Sequence, residues 1–213
     1  MSEFNILKMQ EKLKKYLDED RFTHTQGVMY TSAALAMRYG EDVRKAQAAG
    51  LLHDCAKCIP NEKKISICEK NGIPISDAER INPFLLHAKA GAQIAKDKYK
   101  ITDPDILNAI ASHTTGRPGM SLLEKIVYIA DYIEPWRFKA QNLELSRKLA
   151  FSDIDEALYI ILRDTLSYLR STKNALDPMT ARAFEYYREV NKKAVYETGG
   201  KLNWKTSQNK WLK

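Results

Sequence analysis

No stretch of this 213-residue chain approaches the roughly 20 apolar residues that a membrane-spanning helix requires. The opening twenty residues mix acids with bases and lack the apolar centre of a secretory signal, so a soluble, cytoplasmic protein is expected. Cysteine is scarce. Cys55, Cys58 and Cys68 are an odd number without a secretory signal, which argues against a disulfide framework. Cys55-Ala-Lys-Cys58 has the C-x-x-C spacing but follows a helical pattern rather than a strand, so it reads as packed thiols and not as a redox pair. No run alternates apolar and polar residues as a half-buried strand does. A G-x-G-x-x-G turn, a Walker A loop and a long internal repeat are all missing.

What is present is an ordinary globular composition, 44% hydrophobic and 29% charged, in a length that suits one domain. The net charge of +7 is unevenly spread. Residues 192–213 hold six lysines against Glu197 alone, a surplus of +5 that leaves +2 on the other 191 residues. The expected organisation is a domain over 1–191 and a basic, solvated tail over 192–213. Neither nucleic acid nor membrane is an expected partner, and a homodimer is left open.

Helical spacing runs through nearly the whole chain. Ile6 to Leu17 opens it. Phe22 to Tyr39 is stopped by Gly40, and Asp42 caps a third helix running into His53-Asp54. Ser76-Asp77-Ala78-Glu79 and Ser121-Leu122-Leu123-Glu124 are capping boxes, and Asp103-Pro104 is a cap followed by proline at the first helical position. Further helices follow from Asn61, from Phe84 to Tyr99, from about Ser152 to Leu169 and after Pro178. The reading is all-α, one bundle of about nine helices.

Only four histidines occur: His24, His53, His87 and His113. Each falls on or at the end of a helix, and Asp54 follows His53 directly. Asp131 lies in the apolar run Ile126-Val127-Tyr128-Ile129-Ala130-Asp131-Tyr132, where an acid is costly unless paired or bound to metal. Imidazoles with carboxylates suit a first-row divalent ion such as iron, manganese, cobalt or zinc. Neighbouring residues of a regular helix point apart, so His53 and Asp54 reach one site only at a helix end or a distortion. Gly27 and Gly91 stand near His24 and His87 within helices, where close packing would offset the cost of glycine.

The order H…HD…H…H…D resembles the HD superfamily of metal-dependent phosphohydrolases. The words His24-Thr-Gln-Gly27-Val28, Gly50-Leu51-Leu52-His53-Asp54-Cys-Ala-Lys57, His113-Thr114-Thr115-Gly116 and Ala130-Asp131-Tyr132-Ile133-Glu134-Pro135-Trp136-Arg137 are similar to those of the YqeK family of symmetrical diadenosine tetraphosphate hydrolases. That resemblance spans about residues 5–190. It implies a helical HD domain and a divalent transition metal, iron first, held by His24, His53, Asp54 and Asp131. His87 and His113 match positions that hold a second metal or touch substrate phosphate. Asp54, Lys57 and Arg137 are the implied catalytic groups, and Thr114 lines the same site. Substrate contacts would also come from the segment Thr172, Lys173, Asn174, Ala175, Leu176, Asp177 and Pro178. The chain departs from the family at Glu185, where an Asn is frequent.

By chemistry alone, Lys57 and Arg137 would neutralise a transferring phosphoryl group, or Arg137 would stack on Trp136. Glu134 would pair with either cation or cap its helix. Another HD phosphohydrolase, acting on guanosine polyphosphates, deoxynucleotides or a cyclic nucleotide, is the alternative enzyme. A nucleic-acid adaptor working through the tail is the alternative of another class, and it gives the histidines no role.

Overall fold

The computed structural model describes residues 5–172 and 177–197, with 193–197 as backbone only. Lys173, Asn174, Ala175 and Leu176 of the expected nucleoside segment, and residues 198–213 of the tail, lie outside the described residues.

Among the described residues the chain forms eleven α-helices and one 3-10 turn, with no strand. The helices are α1 (Ile6–Leu13), α2 (Glu19–Tyr39), α3 (Val43–Leu52), α4 (Asn61–Lys70) and α5 (Asp77–Ile81). After the 3-10 turn Pro83–Leu86 come α6 (His87–Tyr99), α7 (Pro104–Ser112), α8 (Leu122–Ile133), α9 (Leu143–Ala150), α10 (Ile154–Ser171) and α11 (Pro178–Glu197). Local chemistry sets most of the boundaries. Asp18, Asp42, Asp103 and Asp153 each accept from a backbone N–H of the following turn. Both capping boxes close as the sequence suggests, and Gly40 ends α2 in the left-handed conformation at φ +75°.

The elements depart from the periodicity in several places. Tyr16 and Leu17 lie beyond the end of α1. Proline at position 83 tightens the start of the Phe84–Tyr99 pattern into the 3-10 turn, so that α6 begins at His87. Helix α9 has an apolar side too short to read, and it lies against α10 and α8.

The core is built on α2, α3, α7 and α8. Helix α2 packs on α3 and α8, α3 on α7 and α8, and α7 on α8, while α6 covers α7 and the α9–α11 group covers α8. Leu35, Leu51, Leu52, Ile106, Ile110, Ile126 and Ile129 are fully buried between them. The α2–α3 contact brings the two backbones close together. A Cβ added at Gly50 would lie 2.8 Å from Ser32 Oγ and 3.1 Å from both Met29 Cα and Val28 O. Two of those neighbours are backbone, so the helices themselves would have to part. Gly50 also offers the carbonyl that receives His53 Nδ1 at 2.7 Å, which ties the packing of α3 to the placing of a histidine.

On the far side of α7, Glu124 is buried at 1% exposure and holds Arg117 Nε at 2.6 Å, Ser112 Oγ at 2.9 Å and its own cap. Burial pushes this carboxyl up, but the Arg117 guanidinium and the donated hydrogen bonds outweigh it, so its pKa lies below the ordinary 4.5.

Gly50→Ala is expected to cost about 1–3 kcal/mol in urea unfolding; a loss below about 0.5 kcal/mol, the range of a neutral surface change, would contradict the backbone contact. For Glu124 the folded pKa is the lower one. Its contribution is therefore present above the unfolded value and lost as pH falls through the folded one. The stability gap between the parent and Glu124→Gln should narrow as unfolding is followed from neutral pH to acid, and a constant gap would contradict the assignment.

Candidate metal centre

Three of the four histidines sit where a helix starts or stops. His53 follows the last residue of α3, His113 follows the last residue of α7, and His87 is the first residue of α6. Each uses its Nδ1 in the same way, toward the carbonyl three residues back: Gly50 O, Ile110 O and Phe84 O, all at 2.7 Å. A carbonyl only accepts, so Nδ1–H is the donor and Nε2 is left with its lone pair. His24, inside α2, reaches the same result with Glu134, whose Oε1 lies 3.0 Å from Nδ1. All four imidazoles thus turn Nε2 toward one place. A ring nitrogen tied back to a carbonyl or carboxylate is the arrangement that fixes metal-binding histidines.

The two aspartates meet them there. His24 Nε2 is 3.0 Å from Asp131 Oδ1, and His53 Nε2 is 3.5 Å from Asp54 Oδ2 and 3.9 Å from Asp131 Oδ1. Asp54 Oδ1 lies 3.3 Å from His87 Nε2 and 3.4 Å from His113 Nε2. The last two nitrogens are 3.2 Å apart, with Thr114 Oγ1 at 3.1 and 3.2 Å from them. His53 and Asp54 share the site because α3 has ended, and the chain turns sharply through residues 53–58.

Three basic groups surround the cluster. Arg21 Nη1 holds Asp54 Oδ2 at 2.8 Å, Lys57 Nζ stands 3.0 Å from His87 Nε2 and 3.4 Å from Asp54 Oδ1, and Arg137 Nη2 holds Asp131 Oδ1 at 2.8 Å. Burial alone would raise Asp54, yet the neighbouring His53 and His113 rings and the Lys57 ammonium hold it well below the carboxylate range. Asp131 is held down against burial by His24, His53 and Arg137. Burial lowers His53, and the Asp54 carboxylate more than offsets it, so His53 sits above its ordinary value. His87 lies well below its own, first from burial and then from the Lys57 ammonium. Burial likewise pushes the Cys55 thiol up to about 12; Cys55 is the packed thiol of the pair, whereas Cys58 is exposed and donates to Asp18 Oδ2 at 3.3 Å.

The donor set fits a divalent ion on two independent grounds. His24 Nε2, His53 Nε2 and Asp54 Oδ1 are buried without a hydrogen-bond partner and lie together in one cluster, where orphaned polar atoms are costly unless something binds them. In addition, His24, His53 and Asp131, and likewise His53, Asp54 and His113, bring ligand atoms within 4.8 Å of one another.

A family model described as HD domain matches residues 21–136. The chain belongs to the HD domain family. The symmetrical bis(5'-nucleosyl)-tetraphosphatase of Bacillus subtilis (strain 168) is 40% identical over 174 residues, covering 82% of this chain and 92% of the relative. Its counterpart of the same name in Staphylococcus aureus (strain NCTC 8325 / PS 47) is 32% identical over 185 residues, 86% of this chain and 94% of the relative. A solved structure described as a "predicted HD superfamily hydrolase involved in NAD metabolism", from Clostridium acetobutylicum, has a TM-score of 0.82 at 44% identity and covers 85% of this chain and 96% of that one. An HD domain with this His/Asp cluster uses a divalent metal cofactor.

Some expectations change in the HD fold. Glu134 pairs with His24 and accepts from Trp136 N–H at 2.7 Å, rather than pairing with Lys57 or Arg137. Arg137 pairs with Asp131 rather than stacking on Trp136. Gly27 leaves room for Glu134, whose carboxylate a Cβ there would meet, whereas at Gly91 the nearest atoms lie at an ordinary 3.5 Å. Thr172 caps α10 through Leu169 O, and Asp177 accepts from Met179 N–H at the start of α11. Glu185 pairs with Arg188 on the exposed side of α11.

Arg21 and Arg147 escaped the sequence reading. Arg21 lies one turn before His24 on α2, a spacing that could have exposed it. Arg147, on α9, donates to Ile133 O, Glu134 O and Arg137 O and so holds the turn that carries Arg137, a pairing that sequence spacing does not reveal.

Titration of the metal-free protein with a divalent ion is expected to show a site that His53→Ala abolishes. Loss of the His24 support in Glu134→Ala should weaken it about 10- to 100-fold. Affinity equal to the parent's in both variants would contradict the donor set.

Proposed function

We propose that this chain is a symmetrical bis(5'-nucleosyl)-tetraphosphatase of the cytoplasm, cutting diadenosine tetraphosphate in the middle to give two ADP, with iron as its resident metal. The observation that carries this is the meeting of four Nε2 atoms and two aspartates with Arg21, Lys57 and Arg137, an arrangement of a metal's donors beside cations suited to a polyphosphate. The names of the relatives supply the substrate. Mixed imidazole and carboxylate donors support iron and also accommodate manganese, cobalt or zinc.

In this reading His24, His53, Asp54 and Asp131 hold one ion, and His87 with His113 hold a second or receive substrate phosphate. A divalent ion there lowers the pKa of a water molecule and polarises the phosphoryl oxygens. The chain's own groups do the rest. Asp54 Oδ1, buried and without a hydrogen-bond partner, accepts from the attacking water and aims its lone pair at a central phosphorus. Lys57 and Arg137 neutralise the oxygens that gain charge, the planar guanidinium offering two parallel donors. Thr114 Oγ1 turns its hydroxyl to the same oxygens. Water adds to one central phosphorus, the bond from that phosphorus to the bridging oxygen breaks, and both halves leave as ADP. One nucleoside arm enters a cavity of about 260 Å³ that extends from Thr114 past Asn108 and Arg117 to Asp177 and Met179. The basic tail has no part in this reading.

Metal-loaded protein incubated with diadenosine tetraphosphate is expected to give ADP alone when its products are resolved by ion exchange, and Arg137→Ala should lower kcat about 100-fold. AMP plus ATP, or no turnover with ferrous or manganous ion, would defeat the reading.

A further inference from the structure

Helix α4 places a charge where a helix packed on the core would ordinarily carry an apolar residue. Lys64 is 2% exposed. Its Nζ donates to Asn61 Oδ1 at 3.1 Å and stands 5.1 Å from the centre of the Phe84 ring, and no carboxylate pairs with it among the described residues. A buried ammonium with only neutral partners is costly, and a methionine or leucine would fill the place at no charge cost. Burial, and then the Lys57 ammonium, hold its pKa below the ordinary lysine value.

The surroundings connect this charge to the metal centre. The Phe84 ring that faces Lys64 also faces Lys57, whose Nζ is 4.7 Å from the ring centre. Phe84 belongs to the turn just before His87, and its carbonyl fixes the His87 ring. It is 45% exposed, so the ring is the outer wall and Lys64 the covered group. An exposed aromatic side chain therefore lies against a second ammonium that no carboxylate pairs with among the described residues, immediately beside a lysine that already faces Asp54 and His87.

We propose that Lys64 is a second polyphosphate-binding cation of this site, reached by the substrate's outer phosphate when the Phe84 ring turns aside. The inference rests on the reading of the cluster as a polyphosphate hydrolase. A tetraphosphate cut in its middle carries a diphosphate to either side of the bond that breaks. Lys57 serves the phosphate at that bond, and Lys64 serves the next one out. Because it touches neither the attacking water nor the phosphorus attacked, Lys64 contributes to binding and not to the chemical step.

The test uses Lys64→Met, which keeps the volume and removes the charge. The KM for diadenosine tetraphosphate should rise about tenfold with kcat within about twofold, the size of a lost hydrogen bond to a charged group. Inorganic tripolyphosphate, titrated calorimetrically into metal-loaded protein, should bind about tenfold more weakly on the same grounds. Lys64→Arg should restore most of both, because charge and not shape is at issue. The thermal midpoint of Lys64→Met should equal or exceed the parent's. If Lys64→Met does not fold, Lys64→Gln carries the same two measurements. Unchanged KM and unchanged tripolyphosphate affinity in the neutral variant would overturn the proposal while leaving the activity of the parent intact. Failure of the parent to hydrolyse the dinucleotide, with tripolyphosphate binding still weakened in the variant, would overturn the substrate and leave Lys64 as a polyphosphate cation.

Discussion

A buried carboxylate is the constraint around which this fold is arranged. Asp54, 1% exposed, sits among three imidazole nitrogens, an ammonium and a guanidinium. An unpaired charge at that depth would be prohibitive, and its partners must also be held in place against their own desolvation. The structure meets this demand by ending helices. The ends of α3 and α7 and the start of α6 bring His53, His113 and His87 to the same point, and each ring is fixed by the carbonyl three residues before it. The site is thus a product of where helices stop, and the glycine at position 50 that lets α2 and α3 approach also supplies one of those carbonyls.

Support for the site extends well beyond its first contacts. Glu134 holds His24 in register and is itself given room by Gly27, while Arg147 of α9 ties down the carbonyls at the end of α8. The turn between them presents Arg137 to Asp131. This chain of contacts explains why a helix with no ligand of its own belongs to the function. Positioning of this kind matters because reacting groups misplaced by an ångström lose most of their effect.

Much of this was legible in the sequence. Helix boundaries followed from aspartate and serine caps and from Gly40, all of which act through bonds spanning a few residues. The order of the four histidines and two aspartates gave the cluster, because the family words around them are specific, and the family match over residues 21–136 agrees. What was not legible lay in partners distant along the chain. Arg21 reaches Asp54 across 33 positions, with its place one turn before His24 as the local hint, and His24 reaches Glu134 across 110, a pair that no local pattern marks. Of the two roles the sequence left open for Glu134, it takes the place at the end of α8, while the guanidinium of Arg137 goes to Asp131. Lys64 gave no signal at all: on a polar helix a lysine reads as solvated, and only packing against Phe84 shows that it is covered.

The central claim, that scattered imidazoles and carboxylates converge on a shared cation, is tested most directly by anomalous diffraction from crystals of the purified protein, recorded on either side of the iron absorption edge and, in turn, the manganese, cobalt and zinc edges. The account predicts an anomalous peak bounded by His24, His53, Asp54 and Asp131, at distances typical of coordination. Diffraction that shows these side chains in place with no anomalous density between them, and with the ion at another position, would contradict it.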